Sequence, residues 1–153
     1  MNSSIIYRGM DTVIIGKQEI VNDYLLSPRL PRNMPFNLHN DADIWFGEKF
    51  KFKFRSQAIF CTGSIAVART FGAPAAICPI GEHLFCWSPD IGDLYISYQT
   101  SSLSMQQLLE ASFYTTFTYS DTEIMKKALA SGNEMMLWCN SYLATELNRI
   151  CLT

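Results

Sequence analysis

The stretch FRSQAIFCTGSIAVARTFG, Phe54 to Gly72, decides how this chain is read. Its first half, rich in β-branched and aromatic residues and ending at Phe60-Cys61, predicts a strand. Its second half, SIAVARTFG, predicts a short helix of small residues closed by Gly72. Between them Thr62-Gly63-Ser64 places two hydroxyls and a glycine in an otherwise apolar segment. A strand-to-helix turn with Ser or Thr as helix cap accounts for such a break, and so does a docking point for a ligand. The two readings are compatible.

The rest of the chain supplies enough apolar material to bury that segment. Its 153 residues fit one domain, 1–153, and such a length buries roughly two-thirds of the unfolded surface. A hydrophobic fraction of 48% with 17% charged residues indicates a globular protein. The net charge of −2 gives no global attraction to nucleic acid or anionic lipid. Five cysteines (61, 78, 86, 139, 151) form no CxxC pair and read as reduced, buried small hydrophobes. Neither they nor His39 and His83 have the spacing of a tetrahedral metal site, and no metal is expected. The start, MNSSIIYRGMD, has no basic segment leading into an apolar one, and no apolar run approaches a membrane span; a cytoplasmic protein without membrane contact is expected.

Outward from the central segment, SIIYRGM (Ser4 to Met10) predicts a short strand. KQEIVNDYLL (Lys17 to Leu26) has apolar residues at helical spacing, and SPRLPRNMP is irregular because of its prolines. A helix is expected from about Asn37 to Lys49, with Leu38, Ala42, Trp45 and Phe46 on one face. KFKFKFR alternates Lys49, Lys51, Lys53 and Arg55 with three phenylalanines, the period of a half-buried strand with a solvated basic face; the same face also suits a polyanion such as RNA. Further on, AAICPIG predicts a strand near Ile77, SMQQLLEAS a helix, and FYTTFTYS a strand. DTEIMKKALASG predicts a helix capped by Asp121 and Gly132, NEMMLWC a strand, and NSYLATELNRI a terminal helix. The class is α+β.

The familiar phosphate-loop, dinucleotide-turn and nucleophile-elbow patterns are missing. What remains is a constellation at strand ends, where loops place functional groups. It comprises Arg8 within YRG, Thr62 and Ser64 within TGS, and Glu134 opening a late strand after Ser-Gly-Asn.

YRG early, aromatic-x-Thr-Gly-Ser in the middle and a late glutamate leading a strand resemble the arginine, Ser-Thr-Ser and glutamate motifs of mono-ADP-ribosyltransferases of the cholera-toxin-like branch. The motifs span nearly the whole chain, although each alone is a short pattern. The resemblance implies an ADP-ribosyltransferase-like split fold, with two small antiparallel or mixed sheets around a cleft for NAD. It implies transfer of ADP-ribose from NAD, as substrate, to a nucleic acid such as RNA or to a protein. Arg8 would grip the pyrophosphate with its fork of donors, and Gly9 would let backbone approach the ligand. Phe60 and Thr62 would stiffen the pocket, and Ser64 would help position Glu134. Glu134 would stabilise the oxocarbenium-like state through the ribose 2′-hydroxyl.

Many family members carry a second Glu or Gln two residues before the catalytic one. Here that position is Gly132, which speaks against arginine-directed protein modification. The preceding segment, where the family places its target-recognition loop, carries Tyr114, Thr115, Thr116, Thr118 and Tyr119. Tyr114, Thr116 and Tyr119 are the candidate recognition residues, since aromatics stack splayed bases; an ordinary strand accounts for them equally. Trp87, Asp90 and Asp93 flank a turn read as structural, with a lesser reading in which Trp87 covers the nicotinamide. Family habit implies an intracellular toxin or effector, in a toxin–antitoxin or phage-defence context, with a neutralising antitoxin or immunity partner. Two alternatives stay open. One is a non-catalytic interaction or immunity protein, with Glu134 or Arg8 buried in a salt bridge and no adjoining cleft. The other is an RNA 2′-phosphotransferase, which needs two more basic or His residues in the site.

Overall fold

Two long strands carry the architecture. In the computed structural model, which describes residues 5–147, β4 (Ala73–Trp87) and β6 (Met135–Thr145) pair antiparallel along nearly their whole length. Their side chains alternate between two apolar clusters. Phe85, Met135 and Leu137 face one cluster with α6 (Thr122–Ser131), whereas Cys86 and Met136 face a second beneath α1 (Phe36–Phe50) and α5 (Met105–Ala111). That alternation is the period-two pattern of a strand buried on both faces.

Four short strands complete one six-stranded sheet in which every pairing is antiparallel. β1 (Ile6–Met10) pairs with the first half of β4 and β5 (Thr115–Phe117) with its last turn of sequence. β3 (Ile59–Cys61) pairs with the start of β6 and β2 (Lys17–Val21) with its end. Between Ile80 and His83 the register with β6 shifts, with Gly81 at φ 72°, a bulge that bends the strand. A single bridge between Tyr7 and Thr62 joins the outer edges of β1 and β3. It brings the end of β3 beside β1, although the two are far apart in sequence.

The α+β class is observed, with a continuous sheet where two separate sheets were expected. Several local readings are corrected. KQEIV is strand β2 rather than helix, followed by a 3-10 turn at Asp23–Leu25. Its partner β6 overrides the local spacing, and the buried Asn22 fixes the change of direction. The Asn22 amide donates to the carbonyls of Gln57 at 2.8 Å and Cys139 at 2.9 Å, while its oxygen accepts from Tyr24 N.

KFKFKFR is not a strand. α1 runs to Phe50 and stops on Lys51 in the left-handed conformation (φ 73°), and α2 (Phe54–Gln57) follows. The lysines are exposed, as the alternation predicts, but Phe54 and Arg55 are buried, so the run ends inside the protein. Phe46 and Phe50 pack on Phe54 to hold it there. The first half of FRSQAIFC is therefore helix before strand. The helix read in SIAVARTFG is α3 (Ile65–Arg69) and ends before Gly72, which starts the approach to β4. LYISYQT forms α4 (Leu94–Thr100). NSYLAT continues β6 instead of turning helical, because β2 and β4 flank it on both sides; the remainder of that expected helix, from residue 148, lies outside the described residues, as does Cys151. Asp121 precedes α6 but caps no amide of it; its Oδ2 accepts from Thr118 N at 2.8 Å, while Gly132 closes the helix at φ 69° as expected.

Candidate functional site

Thr62-Gly63-Ser64 is the splice that fixes the late glutamate. Thr62 Oγ1 donates to the Gly132 carbonyl at 3.0 Å and accepts from Ser64 N at 3.1 Å. Ser64 caps α3 by accepting from Val67 N. Gly63 lies against the end of α6 so closely that a Cβ there would meet the Leu129 carbonyl oxygen at 2.1 Å. Only glycine allows that approach. The turn thereby locks the end of β3 to the segment Gly132-Asn133-Glu134.

The turn SPDIG holds the same segment from the other side. Glu134 N donates to the Gly92 carbonyl at 3.1 Å, and the Asn133 amide donates to the carbonyls of Ser88 and Pro89. Asp93 caps α4 by accepting from Ile96 N. The turn is held by these bonds, and Asp93 at its end also lines the cavity described next. Trp87 is buried, donates to Ser131 Oγ at 3.0 Å and covers no ligand space.

Glu134 is thus held by its backbone at the mouth of β6, beside a cavity of about 690 Å³. Arg8, Gly9, Phe60, Thr62 and Glu134 all line that cavity. Ser64 does not; its hydroxyl is spent on the helix cap, and it acts on Glu134 only through the turn. Gly9 leaves room for the protein's own backbone, since a Cβ there would meet the Ala68 carbonyl oxygen at 2.4 Å. The Arg8 side chain leaves β1 towards β3, where Nη1 donates to the Phe60 carbonyl at 2.8 Å and Nε is buried without a partner.

Two residues outside the expected set complete the site. Arg55 Nη1 donates to Glu134 Oε1 at 2.6 Å, and both side chains are largely buried. Oε2 of Glu134 meets no protein donor among the described residues. Arg55 also lies over the Phe60 ring, 4.6 Å from its centre, and Arg29 lies over the same ring at 4.0 Å. Arg29 Nε donates to the Arg55 carbonyl at 3.2 Å. Burial first, and then the Arg55 charge, bring the Arg29 guanidinium down to about 10. Asp43 on α1 anchors this corner: its carboxylate accepts from Ser56 N at 3.1 Å and from Ser56 Oγ, fixing α2 and with it Arg55.

The sequence offered a faint signal for Arg55. It is an arginine closing a lysine repeat, and arginine suits buried pairing where lysine does not. For Arg29, inside the proline-rich segment, no pattern pointed to the cleft.

The expected recognition residues do not join the cavity. The Tyr114 ring is packed against Phe46 and Trp45, and its buried hydroxyl is pushed up by desolvation. Thr116 pairs with Cys86 in β5, and Tyr119 is exposed, its N–H donating to His83 Nε2 at 2.9 Å. Tyr95, Ile96 and Gln99 of α4 line the cavity instead. No helix among the described residues is long and apolar enough to cross a membrane. Comparison of the chain with protein-family models, curated proteins and solved structures returned no match.

Proposed function

We propose that this chain is an NAD-dependent mono-ADP-ribosyltransferase. The observation that carries the reading is that Arg8, Thr62 and Glu134, from three distant parts of the sequence, line one cavity. In this reading the dinucleotide lies with its diphosphate towards Arg8 and its nicotinamide ribose towards Glu134. The bond between the nicotinamide nitrogen and ribose C1′ breaks, and nicotinamide leaves with the bonding pair. The acceptor's nucleophile then forms its bond to C1′ and loses its proton. Glu134 Oε2 is available to accept the ribose 2′-hydroxyl, an interaction that strengthens as positive charge builds on the sugar. Arg55 fixes the other oxygen, so the carboxylate is oriented before substrate arrives.

The acceptor is a macromolecule, RNA, DNA or protein. A cytoplasmic toxin or effector with a neutralising partner is the context that fits the resemblance. Two other readings have an observation each. The commitment of Glu134 to Arg55 favours a non-catalytic interaction or immunity protein, although that reading asked for no adjoining cleft. Arg29 and Arg55 supply the two further basic residues that a 2′-phosphotransferase needs.

The test is incubation of the chain with labelled NAD and cell extract, beside Glu134→Gln. Label on a nuclease- or protease-sensitive product with the unmodified chain alone supports the transferase. Label on neither, with a 2′-phosphorylated RNA losing its phosphate, supports the phosphotransferase; no reaction of any kind supports the interaction protein.

A further inference from the structure

Around Phe60 the protein gathers more positive charge than it neutralises. Arg8 is bonded to the Phe60 carbonyl, and Arg29 and Arg55 lie over its ring. Among the described residues the one ion pair these three guanidiniums make is Arg55 with Glu134. Around the ring itself three guanidiniums meet one carboxylate, while the wider wall adds Arg32 and the carboxylates of Asp11, Asp23 and Asp93. Asp93, another carboxylate in the wall, is occupied by the α4 cap, and Asp11 and Asp23 stand exposed at the mouth. Burial first, then the Arg55 charge and last the Arg8 charge make the Arg29 charge harder to keep, while Glu134 offsets part of this.

Arg55 donates through Nη1 to Glu134, Arg29 through Nε to the Arg55 carbonyl, and Arg8 through Nη1 to the Phe60 carbonyl, with the Tyr142 side chain a further partner of Arg8. The remaining donors include Nε of Arg8 and of Arg55, both buried with no acceptor in the protein. The Arg55 side chain is 6% exposed and lines the cavity, so its guanidinium sits in a nearly dry wall beside ligand space, with Nε itself covered. A charged group left under-satisfied in such a wall is costly, and an anion bonded to the same guanidinium offsets that cost. Rigid guanidinium forks pre-positioned on an aromatic ring match the oxygens of phosphate.

We infer that Arg29 and Arg55, stacked on Phe60, form with Arg8 a subsite for a diphosphate. Guanidinium forks gathered around one ring match the non-bridging oxygens of a diphosphate, so the ligand class is a dinucleotide or a nucleoside diphosphate. Arg8 and Arg29 both lack a carboxylate partner among the described residues, and Arg29 is the one that no sequence motif contains. This deepens the proposed function, since it rests on reading the cavity as a nucleotide site, and it adds two phosphate contacts that the YRG motif does not contain.

The experiment is calorimetric titration of the full chain with ADP, NAD, inorganic pyrophosphate and adenosine, using the unmodified protein, Arg29→Ala, Arg29→Lys and Glu134→Gln. Arg29→Ala weakens ADP and NAD roughly 10- to 100-fold, the share of one charge-assisted hydrogen bond, and leaves adenosine unchanged. Arg29→Lys keeps the charge without the fork and falls between. Pyrophosphate binding that follows the same order assigns the effect to the diphosphate itself; pyrophosphate that fails to bind while ADP does assigns it to the nucleoside diphosphate. ADP binding no tighter than adenosine, or equal in Arg29→Ala and the unmodified chain, overturns the subsite. Failure of the transferase reading looks different. Glu134→Gln then binds ADP in the same Arg29-dependent way, while the unmodified chain cleaves no NAD. Cleavage of NAD with ADP binding indifferent to Arg29 leaves the transferase standing and sinks the subsite.

Discussion

Removing the Arg55 guanidinium is the sharpest perturbation of this site. Arg55 and Glu134 meet at 2.6 Å with side chains 6% and 13% exposed, so water screens the pair poorly. Truncation of one partner of such a pair leaves the other charge buried alone, which costs about 3–5 kcal/mol. The open cavity beside Glu134 lets water in and places Arg55→Met at the low end, about 3 kcal/mol. For a chain of this length that lowers the melting temperature by about 6–12 °C. Glu134→Leu should cost at least as much, because Arg55 then keeps only Arg29 and Arg8 as charged neighbours around Phe60. Replacing both by apolar groups of similar size removes two charges that no longer need a partner, and the double variant should lie within about 1 kcal/mol of the unmodified protein. Urea melts of the four proteins form a double-mutant cycle, with an expected coupling of at least about 2 kcal/mol. Single effects that simply add would refute the reasoning: the contact would then be energetically idle, and Glu134 would owe its orientation to its backbone bonds alone.

The splice at TGS gives a second test. Gly63→Ala pushes a methyl into the Leu129 carbonyl and Cα, at 2.1 and 2.5 Å; backbone must move, and a loss of about 1–3 kcal/mol in urea melts, together with loss of NAD cleavage, is expected. Thr62→Val keeps the shape but strands the Ser64 amide and the Gly132 carbonyl, lowering stability by about 1–3 kcal/mol, while Ser64→Ala affects only the α3 cap and costs about 1 kcal/mol. His39 provides the pH test. Burial first, then Arg29 and Arg55, hold its folded-state pKa below the usual 6.5. The native imidazole stays neutral where the unfolded one takes up a proton, so stability is full above the unfolded value and declines as pH falls below it. His39→Gln should flatten that decline in melts, and Arg29→Ala should raise the His39 titration seen by NMR; an unmoved titration would remove Arg29 from its neighbourhood.

What the sequence disclosed was set by how local the determining forces are. β1, α1, α5 and α6 were legible because their own apolar periodicity, a proline before α1 and Gly132 after α6 fix them. β2 was misread because its spacing suits a helix and only pairing with β6 makes it a strand. The lysine–phenylalanine run placed its lysines outside and Phe54 inside correctly but put Arg55 on the wrong side and gave the wrong backbone, since the turn at Lys51 depends on where Phe54 finds its neighbours. Arg8, Thr62 and Glu134 line one cavity, with Thr62 and Glu134 at strand ends as expected, whereas Arg8 lies in the middle of β1 rather than at its end. Arg29 escaped notice, and Arg55 was read only as part of a solvated basic face, for a physical reason: a cation in a proline-rich loop or at the end of a basic run reads as solvated until packing puts an aromatic ring beneath it.

The arrangement around Phe60 is not what stability alone would produce. A buried ion pair is commonly replaceable by apolar side chains of like volume without loss, and this chain has such side chains in quantity on both faces of β4 and β6. Here three guanidiniums are instead held together against their own repulsion, one with its proton affinity reduced, and two buried donors go unmatched. α2, the Asp43–Ser56 clamp and the bond from Arg29 to the Arg55 carbonyl all serve to keep them there. The cost falls beside a cavity rather than in a sealed core, and among the described residues the one carboxylate paired with the cluster is Glu134, whose second oxygen meets no protein donor there. Perturbed charges concentrated at a cleft mark a place where a ligand completes the electrostatics. An anion that satisfies Arg29, Arg8 and the spare donors of Arg55 would relieve the repulsion without displacing Glu134, leaving the carboxylate oriented for chemistry a few bonds away along the same ligand.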